Sequence, residues 1–236
     1  MIKFIGVVYR RPDLTHEQAA RHWQEVHGPL ALHLPGLRQY IQNHVVTRPG
    51  REPDLIGFAE VWFDDDDARR AAFRSEAGRT VLADEPNFID LSRSYGAVVT
   101  EALMYDESPS RFQGGGRPAG KLMVPILRRP DLTHDEMIRY WRDTHAPIAL
   151  GLPGLRRYVQ SRAVVRPGRE PRVDGFAEVW FDDEDTLRAA VRGEVGARLL
   201  ADEANLVAGG RTYGAVVKEV MMLAGGVQPT SSPAQP

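Results

Sequence analysis

Two histidines, His27 and His145, each stand four residues after a tryptophan and directly before a small residue and a proline. Imidazole is the side chain that titrates nearest neutrality, so this pair is the first candidate for general acid–base chemistry, as catalytic groups. Tyr40 and Tyr158 follow in sequence and suit the orientation of a phenolic or carbonyl oxygen. Trp23 and Trp141 offer an aromatic pocket wall. His22 and His44 add polar, titratable groups to the first set. Each has a structural alternative: a histidine capping a helix C-terminus, a tyrosine on an amphipathic sheet face, a tryptophan in a helix core stripe.

These residues recur because the chain is duplicated. His27 pairs with His145, Tyr40 with Tyr158, Trp62 with Trp180 and Gly96 with Gly214, always at an offset of 118 (145−27, 158−40, 180−62, 214−96). The alignment runs without a gap from Lys3/Lys121 to Tyr105/Leu223, with 57 of 103 positions identical. Two long copies imply two domains, not a solenoid of short units. The expected division is domain 1 over 1–105, a Gly/Pro/Ser-rich linker over 106–120, domain 2 over 121–223 and a disordered tail over 224–236.

Within one copy, residues 3–10, 36–46, 57–63 and 94–105 have the β-branched and aromatic content of strands. Thr15 and Gln18 form a capping box at a helix start, and Thr133 and Glu136 repeat it. Ala19, Trp23, Val26 and Leu30 fall on one helical stripe, which Gly28 and Pro29 are expected to end or kink. A second helix is expected over 66–77, capped by Asp64, followed by an irregular segment. The order βαββαβ is ferredoxin-like. Such a sheet covers one face with helices and leaves the other bare. The fold expected is therefore α+β, two tandem units pressed together as an intramolecular pseudo-dimeric barrel.

Other chemistry is disfavoured. The 236 residues contain no cysteine, which removes thiolate nucleophiles, iron–sulfur clusters and Cys-based zinc sites. A net charge of −2 and the lack of any nucleic-acid-binding motif argue against a nucleic-acid partner. No run approaches the ~18 apolar residues of a membrane span, and a cytoplasmic location is expected. Gly-x-Ser-x-Gly, Walker and dinucleotide motifs are missing. The four aspartates 64–67 read as helix-start residues rather than a metal loop. His22 and His27, five apart, lie about 140° round an α-helix and should not share a face, so no metal site is expected. His16 and His134 are expected in solvent. Glu60 and Glu178 sit mid-strand and need partners, for which Arg38 and Arg156 are the candidates.

Each copy resembles the EthD domain, a branch of the dimeric α/β-barrel superfamily. The resemblance rests on Arg11-Pro12-Asp13-Leu14-Thr15, Trp23 with His27-Gly28-Pro29, and Leu34-Pro35-Gly36-Leu37-Arg38 with Tyr40. In the second copy it rests on Arg129 to Thr133, Trp141 with His145-Ala146-Pro147, and Leu152 to Arg156 with Tyr158. It implies a small hydrophobic pocket per sheet and acid–base chemistry without metal, flavin, haem or nicotinamide. Relatives include decarboxylases and dehydratases of aromatic polyketide pathways; neighbouring families include cofactor-free oxygenases, cyclases and isomerases. The function so implied is a cofactor-independent lyase or isomerase acting on a hydrophobic aromatic or polyketide-derived substrate. The alternatives are a cofactor-free monooxygenase and a non-catalytic binder of small hydrophobic ligands. The expected assembly is a monomer that acts as its own dimer, or a homodimer of such chains. The greater number of histidines in the first copy nominates the pocket of His27 as the catalytic one.

Overall fold

A computed structural model describes residues 1–50, 52–107, 119–166, 168, 170–210 and 212–224. Most of the expected linker and the expected tail lie outside the described residues. The first copy comprises β1 (Ile2–Tyr9), α1 (His16–His22), a π-helical turn (Trp23–His27), α2 (Gly28–Ala31), β2 (Gln39–Val45), β3 (Leu55–Phe63), α3 (Asp66–Arg74), α4 (Glu76–Asp84) and β4 (Tyr95–Asp106). The second comprises β5 (Gly120–Ile126), α5 (His134–Tyr140), a π-helical turn (Trp141–His145), α6 (Ala146–Ala149), β6 (Leu155–Ala163), β7 (Gly175–Phe181), α7 (Glu184–Arg192), α8 (Glu194–Asp202) and β8 (Ala215–Leu223).

Among the described residues the eight strands close into one antiparallel barrel, in the order β1-β3-β2-β8-β5-β7-β6-β4. The copies meet at two seams. β2 pairs with β8, His44 opposite Lys218, and β4 pairs with β6, Thr100 opposite Arg162. Closure removes every free sheet edge, which each four-stranded half would otherwise expose.

Strand alternation sends one set of side chains inward and the other toward the helices. The inward set is apolar at one level, where Ile5, Val7, Phe58 and Val99 pack against Met123, Phe176 and Val217. Phe58 and Phe176 meet edge-on across the pseudo-twofold axis, centroids 6.4 Å apart. The next level is ionic. Lys3 Nζ donates to Glu60 (2.7 Å), Glu178 (2.6 Å) and Glu101 (3.0 Å). Lys121 Nζ reaches Glu60 (2.9 Å), Glu178 (3.1 Å) and Glu219 (3.1 Å). Each lysine therefore ties a glutamate of its own copy to one of the other copy. The expected partners Arg38 and Arg156 point outward instead, to Asp64 and Asp182. A lysine suits the interior because its compact ammonium ends a slender stem and offers three donors to converging carboxylates.

Several local expectations change for steric and hydrogen-bonding reasons. Asp65, not Asp64, caps α3, its side chain accepting from Ala68 N, because Asp64 is taken by Arg38. The single helix expected over 66–77 breaks at Ser75, whose extended backbone (ψ 173°) ends α3 while its hydroxyl caps α4 by accepting from Gly78 N. The segment expected to be irregular begins inside α4. His16 and His134 are not solvated: His16 Nδ1 contacts Pro53 O and His134 Nδ1 contacts Asp174, each at about 3 Å. Val26 leaves the expected apolar stripe and is exposed.

The largest local difference lies at Gly28 and Pro29. They do not end the helix. The chain passes from α1 through the π-helical turn into α2, with Gly28 N–H bonding Trp23 O in an i→i+5 pattern. Proline is tolerated there because it enters at the first turn of α2. Gln42 secures the turn to the sheet by donating from Nε2 to Trp23 O (2.9 Å) and to the Tyr40 hydroxyl (2.8 Å). Gln160 does the same for Trp141 O and Tyr158, each at 3.1 Å.

Candidate active site

A π-helical turn inserts one extra residue per turn, so residues five apart come into line. His22 and His27 therefore share a face after all, and both grip one carboxylate. His22 Nε2 lies 2.9 Å from Asp84 Oδ1, and His27 Nδ1 lies 3.0 Å from Asp84 Oδ2. Asn87 Nδ2 donates to the same group at 2.9 Å. Phe88 packs against both imidazoles, with centroids 5.1 and 4.9 Å away. Burial works against the charge on Asp84, but the donors from Asn87, His22 and His27 outweigh it and hold the carboxyl below its usual range.

His27 is buried, and this desolvation pushes its imidazole below the ordinary histidine pKa, although Asp84 pulls the other way. The neutral ring donates its Nδ1 proton to Asp84, which leaves Nε2 as the basic nitrogen. It is not a helix C-cap, since the helix continues past it.

His27 opens onto a cavity of about 410 Å³ between the outer sheet face of the first copy and its helices. Tyr40 and Trp23 line the same cavity, within otherwise largely apolar walls that include Phe4, Val61 and Phe73. Burial pushes the Tyr40 phenol up to about 12, so it remains a hydroxyl. His22 stands behind Asp84, outside the lining. His44 also lies outside, where its ring packs on Trp23 (4.6 Å) and its Nε2 contacts Gln42 Oε1 at 2.9 Å.

The second copy builds the same arrangement around a cavity of about 520 Å³, lined by His145 and Tyr158. His145 Nδ1 lies 2.8 Å from Asp202 Oδ2, and the Tyr140 hydroxyl donates to Asp202 Oδ1 at 2.6 Å. Trp141 is fully buried outside the lining, its Nε1 donating to the Tyr158 hydroxyl at 2.9 Å.

Sequence reasoning missed Asp84 and Asp202, together with Glu85 and Glu203, which line the two cavities. The signal was present: Leu82-Ala83-Asp84-Glu85 and Asn87 reappear unchanged as Leu200-Ala201-Asp202-Glu203 and Asn205, while Pro86 and Phe88 become Ala204 and Leu206. Among the described residues, no group of three or more His, Cys, Asp or Glu is placed to hold a metal ion, and no helix is long and apolar enough to cross a membrane.

Comparison with known proteins supports the fold. The chain is similar to a solved anthrone oxidase-like protein, with 12% identity, a TM-score of 0.69, and coverage of 98% of this chain and 96% of that one. It is also similar to a protein of Fusobacterium nucleatum provisionally named a monooxygenase, with 10% identity, a TM-score of 0.61, and coverage of 96% and 95%. An ethyl tert-butyl ether degradation (EthD) family protein of Bacillus halodurans is 22% identical over 42% of this chain and 96% of that one, with a TM-score of 0.35. A search of curated proteins returns no match. The EthD domain matches twice, over residues 11–92 and 129–210, and so takes in both histidine–aspartate pairs. The chain is a member of the EthD domain family, with two domains closed into one α/β barrel.

Proposed function

We propose that the protein is a cofactor-independent enzyme of the lyase or isomerase type. It moves protons on a hydrophobic substrate, aromatic or polyketide-derived, held in the cavity of the first copy. The observation that carries this reading is His27, whose Nδ1 is fixed by buried Asp84 and whose Nε2 is the free basic nitrogen beside an apolar cavity. A buried carboxylate on one ring nitrogen sets the tautomer and stabilises the imidazolium that forms when the other nitrogen accepts a proton. Apolar walls exclude water, which strengthens that interaction and shields a carbanion or enolate from solvent. Tyr40, a hydroxyl at all working pH values, is suited to donate a hydrogen bond to the substrate oxygen.

A second reading uses the same base. Deprotonation of an electron-rich aromatic ketone gives a carbanion that reacts directly with dioxygen, making the enzyme a cofactor-free monooxygenase. The names of the two structural neighbours favour keeping it in view. The test is incubation with a panel of enolisable aromatic ketones and β-keto acids, in air and under argon. Equal turnover in both supports a lyase or isomerase. Turnover only in air moves the assignment to oxygenation. Saturable binding with no turnover of any panel member replaces the enzyme by a ligand-binding protein.

A further inference from the structure

The two cavities present the same glutamate in different states. Glu203 is held: Thr212 donates to it from both its backbone N–H (2.8 Å) and its hydroxyl. The carboxyl of Glu85, at the same place in the first cavity, has no hydrogen-bond or ion-pair partner among the described residues. The cause lies in the segment that follows. Asp90 accepts from the backbone and hydroxyl of Ser92, and the turn so built leaves Ser94 Oγ accepting from Tyr9 N. In the second copy Ala208 replaces Asp90 and Gly209 takes a left-handed backbone (φ 72°), and Thr212 turns onto Glu203. Ser94 hence bonds strand β1, whereas Thr212 bonds the carboxylate.

We propose that Glu85 is the second proton-transfer group of the first cavity, a general acid working opposite the base His27, and that Glu203 is a structural residue. This assignment rests on the proton-transfer reading above. The C–H bond beside a substrate carbonyl breaks as its proton passes to His27 Nε2. Its electron pair forms the new C=C bond, the carbonyl π pair moves to oxygen, and that oxygen takes the proton of the Glu85 carboxyl. Ketone becomes enol. The imidazolium and carboxylate left behind are neutralised by passing one proton from the first to the second through water.

The electrostatics agree with these roles. Burial, and then the neighbouring Asp84 charge, pushes Glu85 up to about 6, so that a protonated fraction persists near neutrality. His27 moves the other way. An acid held up and a base held down at one cavity are what proton shuttling across a substrate requires.

The probe is 2-tetralone, an apolar bicyclic ketone with enolisable positions. Its hydrogen–deuterium exchange in D2O is followed by NMR for the wild type, Glu85→Gln, Glu203→Gln and His27→Ala, with thermal melts to verify folding. The wild type should give a bell-shaped profile of kcat/KM against pH. Glu85→Gln should lower kcat/KM roughly 100-fold, the lower end of the range for a lost general acid, and remove the falling alkaline limb. Glu203→Gln should stay within about threefold of the wild type. A Glu85→Gln enzyme with unchanged rate and profile, alongside an inactive His27→Ala, overturns the role of Glu85 and leaves that of His27 standing. Should Glu85→Gln misfold, the wild-type profile decides: a rate that climbs with pH and then stays level overturns the acid role. Wild-type exchange no faster than buffer overturns both the proton-transfer reading and this one.

Discussion

The two halves of the barrel differ most in sequence where they differ least in chemistry. His22 is replaced by Tyr140, yet each donates to the aspartate that holds the cavity-lining histidine, Asp84 or Asp202. His44 is replaced by Arg162, yet each contacts the oxygen of the glutamine that secures the π-helical turn. Asn43 is replaced by Ser161, yet each donates to the barrel glutamate of its own copy, at 2.8 and 2.6 Å. Glu85 and Glu203 are identical, and they have opposite environments. A comparison of copies by residue type therefore passes over this pair of carboxylates. What diverges is the bonding of an unchanged carboxylate, through a change of turn several residues away.

Tests that perturb equivalent positions separate what the halves share from what they do not. The largest effect should fall on a shared feature. Lys3→Met and Lys121→Met each leave the buried Glu60 and Glu178, one from each copy, sharing a single lysine in place of two, and each should cost about 3–5 kcal/mol in urea unfolding. The two losses should agree within error; a large inequality would show that the ionic layer belongs to one half.

Next in size is the functional contrast. His27→Ala should lower turnover of a panel ketone by a factor of about 100, and His145→Ala by no more than about threefold. Equal losses in steady-state assays would mean two working sites. No loss from either would remove both histidines from the chemistry.

His44 and Arg162 give a smaller contrast, visible in acid. Burial lowers the His44 pKa from 6.5 to about 4. A group whose folded pKa is depressed takes up protons preferentially when unfolded, so its stabilisation is complete above 6.5 and is lost as pH falls toward 4. His44→Arg, which installs the residue of the second copy, should reduce the acid-induced loss of stability in that window by about 2 kcal/mol, after allowance for partial solvent access. Unfolding free energies that fall equally steeply in both proteins would rule out His44 as the source.

The smallest effect should come from His22→Tyr. A phenol donates to Asp202 in the second copy, so the exchange should change stability by less than about 1 kcal/mol and turnover by less than about threefold. A larger change would mean that the charge of His22, and not its hydrogen bond, supports His27.

Much of this was legible in the sequence, and the rest was hidden for identifiable reasons. The strands and the duplication were readable because period-two alternation and a constant offset survive substitution. His27, Tyr40 and their counterparts were readable because they stand in a repeated motif. The sharing of Asp84 by His22 and His27 was not, because α-helical geometry sets them about 140° apart and only the π-helical turn aligns them. Nor were the partners of Glu60 and Glu178. Arg38, just before β2, and Arg156, at the start of β6, lie nearby but turn outward to Asp64 and Asp182, while Lys3 and Lys121 come from another strand and face in. A chain with just three lysines that places two of them at equivalent positions carried that information unread.

The seam pairing of β2 with β8 has a consequence for the order in which the molecule is made. When the ribosome has released the first copy, β2 and β4 are both unpaired at their outer edges. β4 gains its neighbour when β6 emerges, but β2 waits for β8, Ala215–Leu223. Lys3 likewise waits for Glu178. Until β8 has emerged, the nascent protein therefore displays an adhesive strand edge and half of an unbalanced charge cluster. Translation stalled between β7 and β8 should yield a species prone to pair with a second nascent chain, while one extended past Leu223 closes on itself.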